Sequence, residues 1–386
     1  MTAAVPKRHA ALSTRLTEAR ALTDSIWDLL RPGVLLARPI PDRHRLIFYL
    51  GHLEAFDWNL IGRRGLGEPS FHPTFDQLFE FGIDPEPGRL PQEGADEWPA
   101  EAEIRSYNRR AREIIDRHLA EAPIPMAEAA LEHRLMHAET LAYLLHNLPY
   151  EAKVLAETPR LSAARRGAHP LREIPAGTAV LGKEADGTFG WDNEFSRHTA
   201  EVPAFRAGQY KVTNGEYLRF VHDGAPVPHY WLQQNGEWFY RGMFQLMPLP
   251  LEAPVYVSQR QAAAYAAWDG KTLLTEAQFH RLADVLPPGA GNYDFARWDP
   301  LPVHQTAPLI GNGWEWTRTP FAPFPGFVPM PFYPGYSANF FDGQHFVLKG
   351  ASPRTAACFL RPSFRNWFRS DYPYAYATFR VVEELA

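Results

Sequence analysis

The densest chemical signal in the 386 residues is the stretch HRLMHAE, which holds His133, His137 and Glu139. Residues four apart lie on one face of a helix, so His133 and His137 can turn two imidazole nitrogens toward one metal ion. Two nitrogens hold an ion poorly, and His52, in FYLGHLEAFDW, offers a third. Three imidazoles without cysteine suit Zn, Fe, Cu or Ni. A closed structural zinc site is disfavoured, because no fourth ligand of the usual type is evident. Spacing does not choose the metal, and a chance pair of surface histidines is the alternative it leaves open. Glu139 is neither three nor four residues from His133 and reads as an outer or surface group. His146, nine residues beyond His137, falls off the ligand face.

Such ligands need rods to carry them. Residues 1 to about 160 read as mainly helical, through ALSTRLTEARALTDSIWDLL, RHRLIFYLGHLEAFDWNLIGRRG, AEIRSYNRRAREIIDRHLAEA and MAEAALEHRLMHAETLAYLLHNL. Each repeats apolar residues at the helical period, which predicts a four-helix bundle. One connection, FHPTFDQLFEFGIDPEPGRLPQEGADEWP, is too long and aromatic for an inert linker. We expect it to lie across the bundle and help wall a pocket. From about residue 165 the pattern becomes short apolar runs broken by Gly, Pro and Asn. Only VTNGEYLRFVHDG, VSQRQAAAYAAWDG and TEAQFHRLADVL read as helices there. The basic stretch AARRGAHPLR, residues 163 to 172, reads as the seam, giving domains 1–163 and 164–386.

Composition narrows the classes. With 36 Pro, 27 Gly, 25 Phe, 16 Tyr and 11 Trp, the chain is built from turns stapled by large rings. A net charge of -5 leaves no basic surplus for a phosphate backbone, which argues against nucleic acid as partner. Cys358 is the single cysteine, so no intrachain disulfide or CxxC metal site exists. It reads as a buried, inert thiol, and its solitude fits a reducing compartment. No apolar run of ~18 residues and no signal-peptide pattern is present, so the expected location is cytoplasmic, with no membrane partner. Asp186 and Gly187, followed by FGWDNE, could supply oxygens to calcium, but a polar turn is the simpler reading. No GxSxG, P-loop or Rossmann fingerprint occurs.

The segments REIPAGTAVLG, FGWDNEFSRH, VTNGEYLRFV, PVYVSQRQAAAYAAWDGKTLLTEAQF, GNGWEWTRTPF, FVLKGAS, RPSFRNW and ATFRVV resemble, in order, the formylglycine-generating-enzyme-like (sulfatase-modifying) domain. That resemblance implies a C-type-lectin-like domain of α+β class. The first half resembles DinB-like four-helix bundles, whose site uses one early His and a later HxxxHxE pair. The fusion resembles the ergothioneine sulfoxide synthase family and its sister group, the selenoneine synthases. The resemblance implies Fe(II) held by His52, His133 and His137, with hercynine, a sulfur or selenium donor and O2 as small-molecule substrates. The product would carry a new C–S or C–Se bond at the imidazole carbon between the two nitrogens.

The resemblance also implies roles around the iron. Hercynine's quaternary ammonium cannot donate hydrogen bonds, so aromatic faces hold it; Asn366 and Trp367, in FRNW, match the betaine-binding positions. Arg63 and Arg64, expected in a polar turn after the His52 helix, are candidates for its carboxylate. Tyr333 and Tyr336, in PFYPGYSANFFDG, are candidates for the active-site phenol that handles a proton. The chain departs from the family in two places. Met136 stands where Gln commonly precedes the second helix histidine. Phe368 and Tyr372 stand where users of γ-glutamylcysteine carry Asp and Arg. Two aromatics cannot neutralise an ammonium and a carboxylate, although Arg369 and Asp371 could serve a charged donor if they point inward. With Tyr374 and Tyr376 nearby, this favours a selenosugar donor and hence selenoneine biosynthesis, with ergothioneine biosynthesis from free cysteine as the alternative. A non-catalytic betaine- or sugar-binding module is the competing reading of another class. A formylglycine-generating activity is weakened by the bundle and by the lone cysteine.

Overall fold

The computed structural model describes residues 4–80, 94, 96–156, 170–286, 289–306 and 309–385. The chain divides into two compact units, Met1–Ala156 and Glu157–Ala386. The first is helical and the second mixes short helices with sheets, so the chain is of α+β class. No helix among the described residues is long and apolar enough to cross a membrane. Of the basic stretch at 163–172, residues 163–169 lie outside the described residues.

The first unit contains α1 (Ala4–Trp27), α2 (Leu46–Asp57), the short α3 (Pro73–Leu78), α4 (Glu101–His118) and α5 (Ile124–His146). α1 buries Leu12, Leu16, Ala19, Thr23 and Ile26, a stripe at helical spacing. α4 buries Ile104, Tyr107, Ala111, Ile114 and Ile115, keeps Arg105, Arg109, Arg110 and Arg117 exposed and leaves Arg112 half-buried. α2 and α5 differ, being buried nearly all round. α5 starts after Pro123, with a proline in its first turn where no backbone donor is needed. It packs against α1 and α2, and α2 packs against α4. These two central rods carry all three candidate histidines.

Two sequence expectations need refinement here. The residues after α2 do not form a polar turn, because the helix continues as a π-helical segment, Trp58–Gly65, that contains Arg63 and Arg64. The apolar pattern DWNLIG keeps burying Trp58, Leu60 and Ile61, so the chain has no reason to leave the bundle until Gly65. The aromatic connection does pack on the bundle where it is described. Phe79 is fully buried beneath Phe48, Phe75 and Trp98. The expectation that it crosses the bundle also falls on residues 81–93 and 95, which lie outside the described residues.

The second unit contains α6 (Asn214–His222), α7 (Gln259–Trp268) and α8 (Glu276–Val285). Thr213, Ser258 and Thr275 cap them through capping boxes. Its strands, in chain order, are β1 (Leu171–Ile174), β2 (Gly177–Leu181), β3 (His198–Val202), β4 (Phe205–Gly208), β5 (Trp231–Gln234), β6 (Glu237–Arg241) and β7 (Leu246–Pro248). Then follow β8 (Thr272–Leu273), β9 (Gly313–Pro320), β10 (His345–Ala351), β11 (Asn366–Arg369), β12 (Ala377–Thr378) and β13 (Val381–Glu384). One sheet runs β1-β4-β13-β8 and another β11-β10-β9-β12, with smaller sheets β2-β3 and β5-β6-β7. Only the β12–β9 pairing is parallel among those described.

Long loops connect these strands, and their carbonyls must find donors. Buried cations supply them. Arg380 donates to Glu315 at 2.8 Å and to the carbonyls of Gly208 and Gln209 at 2.9 and 2.7 Å. Arg365 pairs with Glu276 at 3.0 Å and reaches the Ala322 carbonyl. Lys349 holds the carbonyls of Pro362 and Phe364 at 2.7 and 2.6 Å. Arg361 meets Glu194 at 2.6 Å. The apolar core lies beside these ties, around Ile174, Phe205, Leu274, Phe279, Leu282 and Val382.

Candidate metal centre

His52 comes from α2, and His133 and His137 come from α5 one turn apart. All three are buried, at 2%, 4% and 0% exposure. One ring nitrogen from each lies within 4.8 Å of the others. The Nε2 atoms of His133 and His137 are 3.1 Å apart. Two nitrogens bound to one ion by ~2.1 Å bonds sit ~3.0 Å apart at a right angle and ~3.4 Å apart in a tetrahedron. The observed separation falls in that span.

The protonation pattern also fits a metal. The Nδ1 of His52 is 2.6 Å from the Phe79 carbonyl oxygen. A carbonyl only accepts, so Nδ1 carries the proton and Nε2 presents a bare lone pair. That Nε2 is buried and has no hydrogen-bond partner among the described residues. Burial, opposed by the bond to Phe79, lowers the His52 pKa to about 4. His133 and His137 fall well below the ordinary value, first through burial and then because protonating one imidazole is opposed by its neighbours in the cluster and by nearby arginines. The cluster is therefore neutral at physiological pH, the form in which imidazole binds metal. A ring supports each side. Phe56 stacks on His133 at 3.5 Å between centroids, and Phe48 stacks on His52 at 4.9 Å.

The other candidates in this unit lie on α5 and on the π-helical segment. Met136 and Glu139 are half-buried on α5. His146 is fully buried in the core. Arg63 is exposed, donates to Asn59 at 3.1 Å and approaches Asp76 at 3.7 Å. Its guanidinium is thus tied to the outside of the π-helical segment, and Arg64 beside it is also exposed. Spacing gave no sign of Phe79, Phe56 or Phe48. A long aromatic connection and aromatics four residues on either side of His52 were the available signals.

In the second unit, Tyr336 is buried, stacks on Trp191 at 3.8 Å and meets Trp367 edge-on at 5.2 Å. Tyr333 is half-buried. The segment carrying both is tied by Asp192, which accepts from Ser337 and from the Met330 amide. Burial raises the Asp192 pKa, against those bonds. Trp367 lies flat on Phe321 at 4.3 Å. Asn366, before it on the edge strand β11, accepts from the Trp367 amide at 2.9 Å. Phe368 and Tyr372 stack on each other at 4.9 Å and 5°. Tyr374 meets Tyr372 edge-on at 5.2 Å.

Two readings are corrected. Tyr376 does not belong to this aromatic group, because it is 1% exposed and packs with Tyr230 and Tyr256 in the interior. Cys358 is half-buried rather than buried, lying on the short turn Ala357–Leu360. Asp186 accepts from the Thr188 amide and hydroxyl, as a polar turn does.

A family profile, the Sulfatase-modifying factor enzyme 1-like domain, matches residues 162–293. The chain is 34% identical to Hercynine oxygenase of Mycobacterium tuberculosis, over 65% of this chain and 69% of the relative. It is 30% identical to Hercynine oxygenase of Mycolicibacterium thermoresistibile, over 96% of this chain and 93% of the relative. It is 27% identical to Ergothioneine biosynthesis protein 1 of Neurospora crassa over 93% of its own length, and spans 56% of that protein.

Proposed function

Because the chain belongs to the family of hercynine oxygenases and ergothioneine biosynthesis proteins, we propose that it is an iron(II)- and O2-dependent enzyme acting on hercynine. It joins selenium or sulfur to the imidazole carbon between the two nitrogens. The observation that carries this reading is the buried, neutral triad of His52, His133 and His137, with nitrogens within 4.8 Å of one another. Iron bound there would supply a redox-active centre able to take a soft donor and oxygen together.

The chain's own residues then have distinct tasks. His52 is held in one tautomer by Phe79, so its Nε2 always faces the centre. Phe48 and Phe56 shield the imidazole faces from water. Trp367, with Asn366, is assigned the trimethylammonium head, whose attraction to an indole face needs no hydrogen bond. Tyr333 is assigned the proton at its phenol oxygen, being half-buried while Tyr336 is packed on Trp191. Arg63, tied to Asn59 and Asp76, is not assigned the carboxylate. The donor is assigned as a selenosugar, because the Phe368–Tyr372 stack offers aromatic faces and no charge.

The test offers the Fe(II) protein hercynine and O2 with cysteine, γ-glutamylcysteine, thioglucose and selenoglucose in separate reactions, and identifies products by mass. Selenoglucose should be used best. Preference for cysteine would overturn the donor and make the enzyme an ergothioneine sulfoxide synthase. Protein that takes up no iron and yields no product with any donor would overturn the catalytic reading in favour of a binding module.

A further inference from the structure

α5 turns two consecutive residues to different sides, His133 toward the other imidazoles and Arg134 toward a buried ionic cluster. Arg134 is fully buried. Its Nη2 donates to Glu54 and Asp57 at 2.7 Å each and to the Leu53 carbonyl at 3.2 Å. Its Nε also reaches Asp57, and its Nη1 reaches Thr23 on α1 at 3.2 Å. Glu54 in turn accepts from Arg112 of α4 at 2.6 and 3.0 Å. Arg112 grips Asp24 of α1 through two bonds of 2.7 and 2.8 Å. One cluster thus ties all four long helices together. It ties them beside the candidate ligands: Arg134 follows His133, and Leu53 and Glu54 follow His52.

We propose that Arg134, clasping Leu53, Glu54 and Asp57, is a positioning residue that fixes the register of α2 against α5 and so sets the spacing of His52 from His133 and His137. The inference rests on the metal reading of the triad. The physical reason is geometric. A planar guanidinium filled by acceptors on three sides admits one placement of its partner helix, whereas apolar side chains on two smooth rods can slide and repack. A slide of ~1.5 Å is one residue's rise, enough to separate the nitrogens.

The test separates positioning from stability. Arg134→Met with Asp57→Leu removes one cation and one anion, leaving Glu54 with Arg112, and such apolar replacements often leave folding intact. The probe is Co(II), titrated without oxygen into the full chain and read by its d–d absorption, alongside thermal melting of the metal-free protein. We expect near-native melting, roughly 10–100-fold weaker Co(II) binding, by analogy with lost supporting shells, and an altered absorption band. Native affinity and an unchanged band in the folded double variant would overturn the inference. Should the double variant fail to fold, Thr23→Val removes only one of Arg134's partners and should weaken Co(II) binding in the same direction; unchanged binding there overturns it too. Wild-type protein that binds no Co(II) would instead sink the metal reading itself.

Discussion

Replacing Gly51 with alanine should damage metal binding more than it damages folding. Gly51 precedes His52, and a Cβ built on it would lie 2.6 Å from Cδ1, Cε1 and Cζ of Phe79. Carbon atoms settle at ~3.5–4.0 Å, so the ring must retreat by about 1 Å. It has little room, being fully buried between Phe48, Phe75 and Trp98. Overpacking of this kind costs ~1–3 kcal/mol, and the helical gain of Ala over Gly returns ~1 kcal/mol. The net loss is about 0–2 kcal/mol, or a melting shift of at most roughly 8 °C for a unit this size. The Phe79 carbonyl holds His52 Nδ1 at 2.6 Å. A displacement of ~1 Å carries that bond to the edge of hydrogen-bonding distance. Losing an orienting partner of a metal-bound histidine lowers affinity by roughly 10–100-fold. Anaerobic Fe(II) titration of Gly51→Ala, with thermal melting in parallel, checks both numbers. A folded variant with wild-type Fe(II) affinity would refute the claim that Phe79 orients His52.

Three further outcomes follow from the same physics. His52→Ala should abolish the thermal stabilisation by saturating Fe(II), which at one hundred times Kd amounts to ~2.7 kcal/mol in the wild type, without lowering the metal-free melting temperature by a comparable amount; differential scanning with and without iron reads both. Glu315→Ala strands the buried Arg380 and should cost ~3–5 kcal/mol, seen in calorimetry as a fall of roughly 6–20 °C in melting of the second unit. Burial acts to raise the Glu54 pKa, but Arg134 and Arg112 prevail and hold it at about 2. Its folded pKa is depressed, so its contribution is complete above ~4.5 and is lost as pH falls through about 2, on the order of 3 kcal/mol in all; urea unfolding at stepped pH should show Glu54→Gln losing part of that acid sensitivity.

The sequence was most legible where periodicity governs. Four helical rods and a histidine pair one turn apart follow from the 3.6-residue repeat, and His52 lay on another of those rods, near its centre. Legibility failed where a pattern has no period. The apolar run through DWNLIG does not reveal that α2 widens into a π-helical segment, so Arg63 and Arg64 read as a polar turn where the structure has helix. Tyr372, Tyr374 and Tyr376 look alike in sequence, yet Tyr376 enters the interior with Tyr230. The motifs that carried the resemblance have a common physical content. Glu194, Glu276, Glu315, Lys349, Arg361, Arg365 and Arg380 fall within them, and these residues form the buried ties of a loop-rich unit. A loop fold cannot satisfy its carbonyls by ladders alone, so it keeps cations at fixed places.

The proposed donor rests on two rings. Phe368, on the edge strand β11, and Tyr372, in the turn that follows, stack at 5°. Each ring covers one face of the other, and neither carries a charge. Introducing Phe368→Asp with Tyr372→Arg restores the charge pair that the family resemblance associates with γ-glutamylcysteine. Each new charge gives the other a partner, so neither is left unpaired, unlike either single substitution. On the selenosugar reading, the double variant should gain turnover with γ-glutamylcysteine and lose it with selenoglucose, chiefly through KM. Fe(II) affinity should not move, because the triad lies on α2 and α5. Competition assays with both donors present read the ratio directly. An unchanged ratio in an iron-loaded, folded double variant would mean that these rings only pack, and that donor choice is made by other side chains.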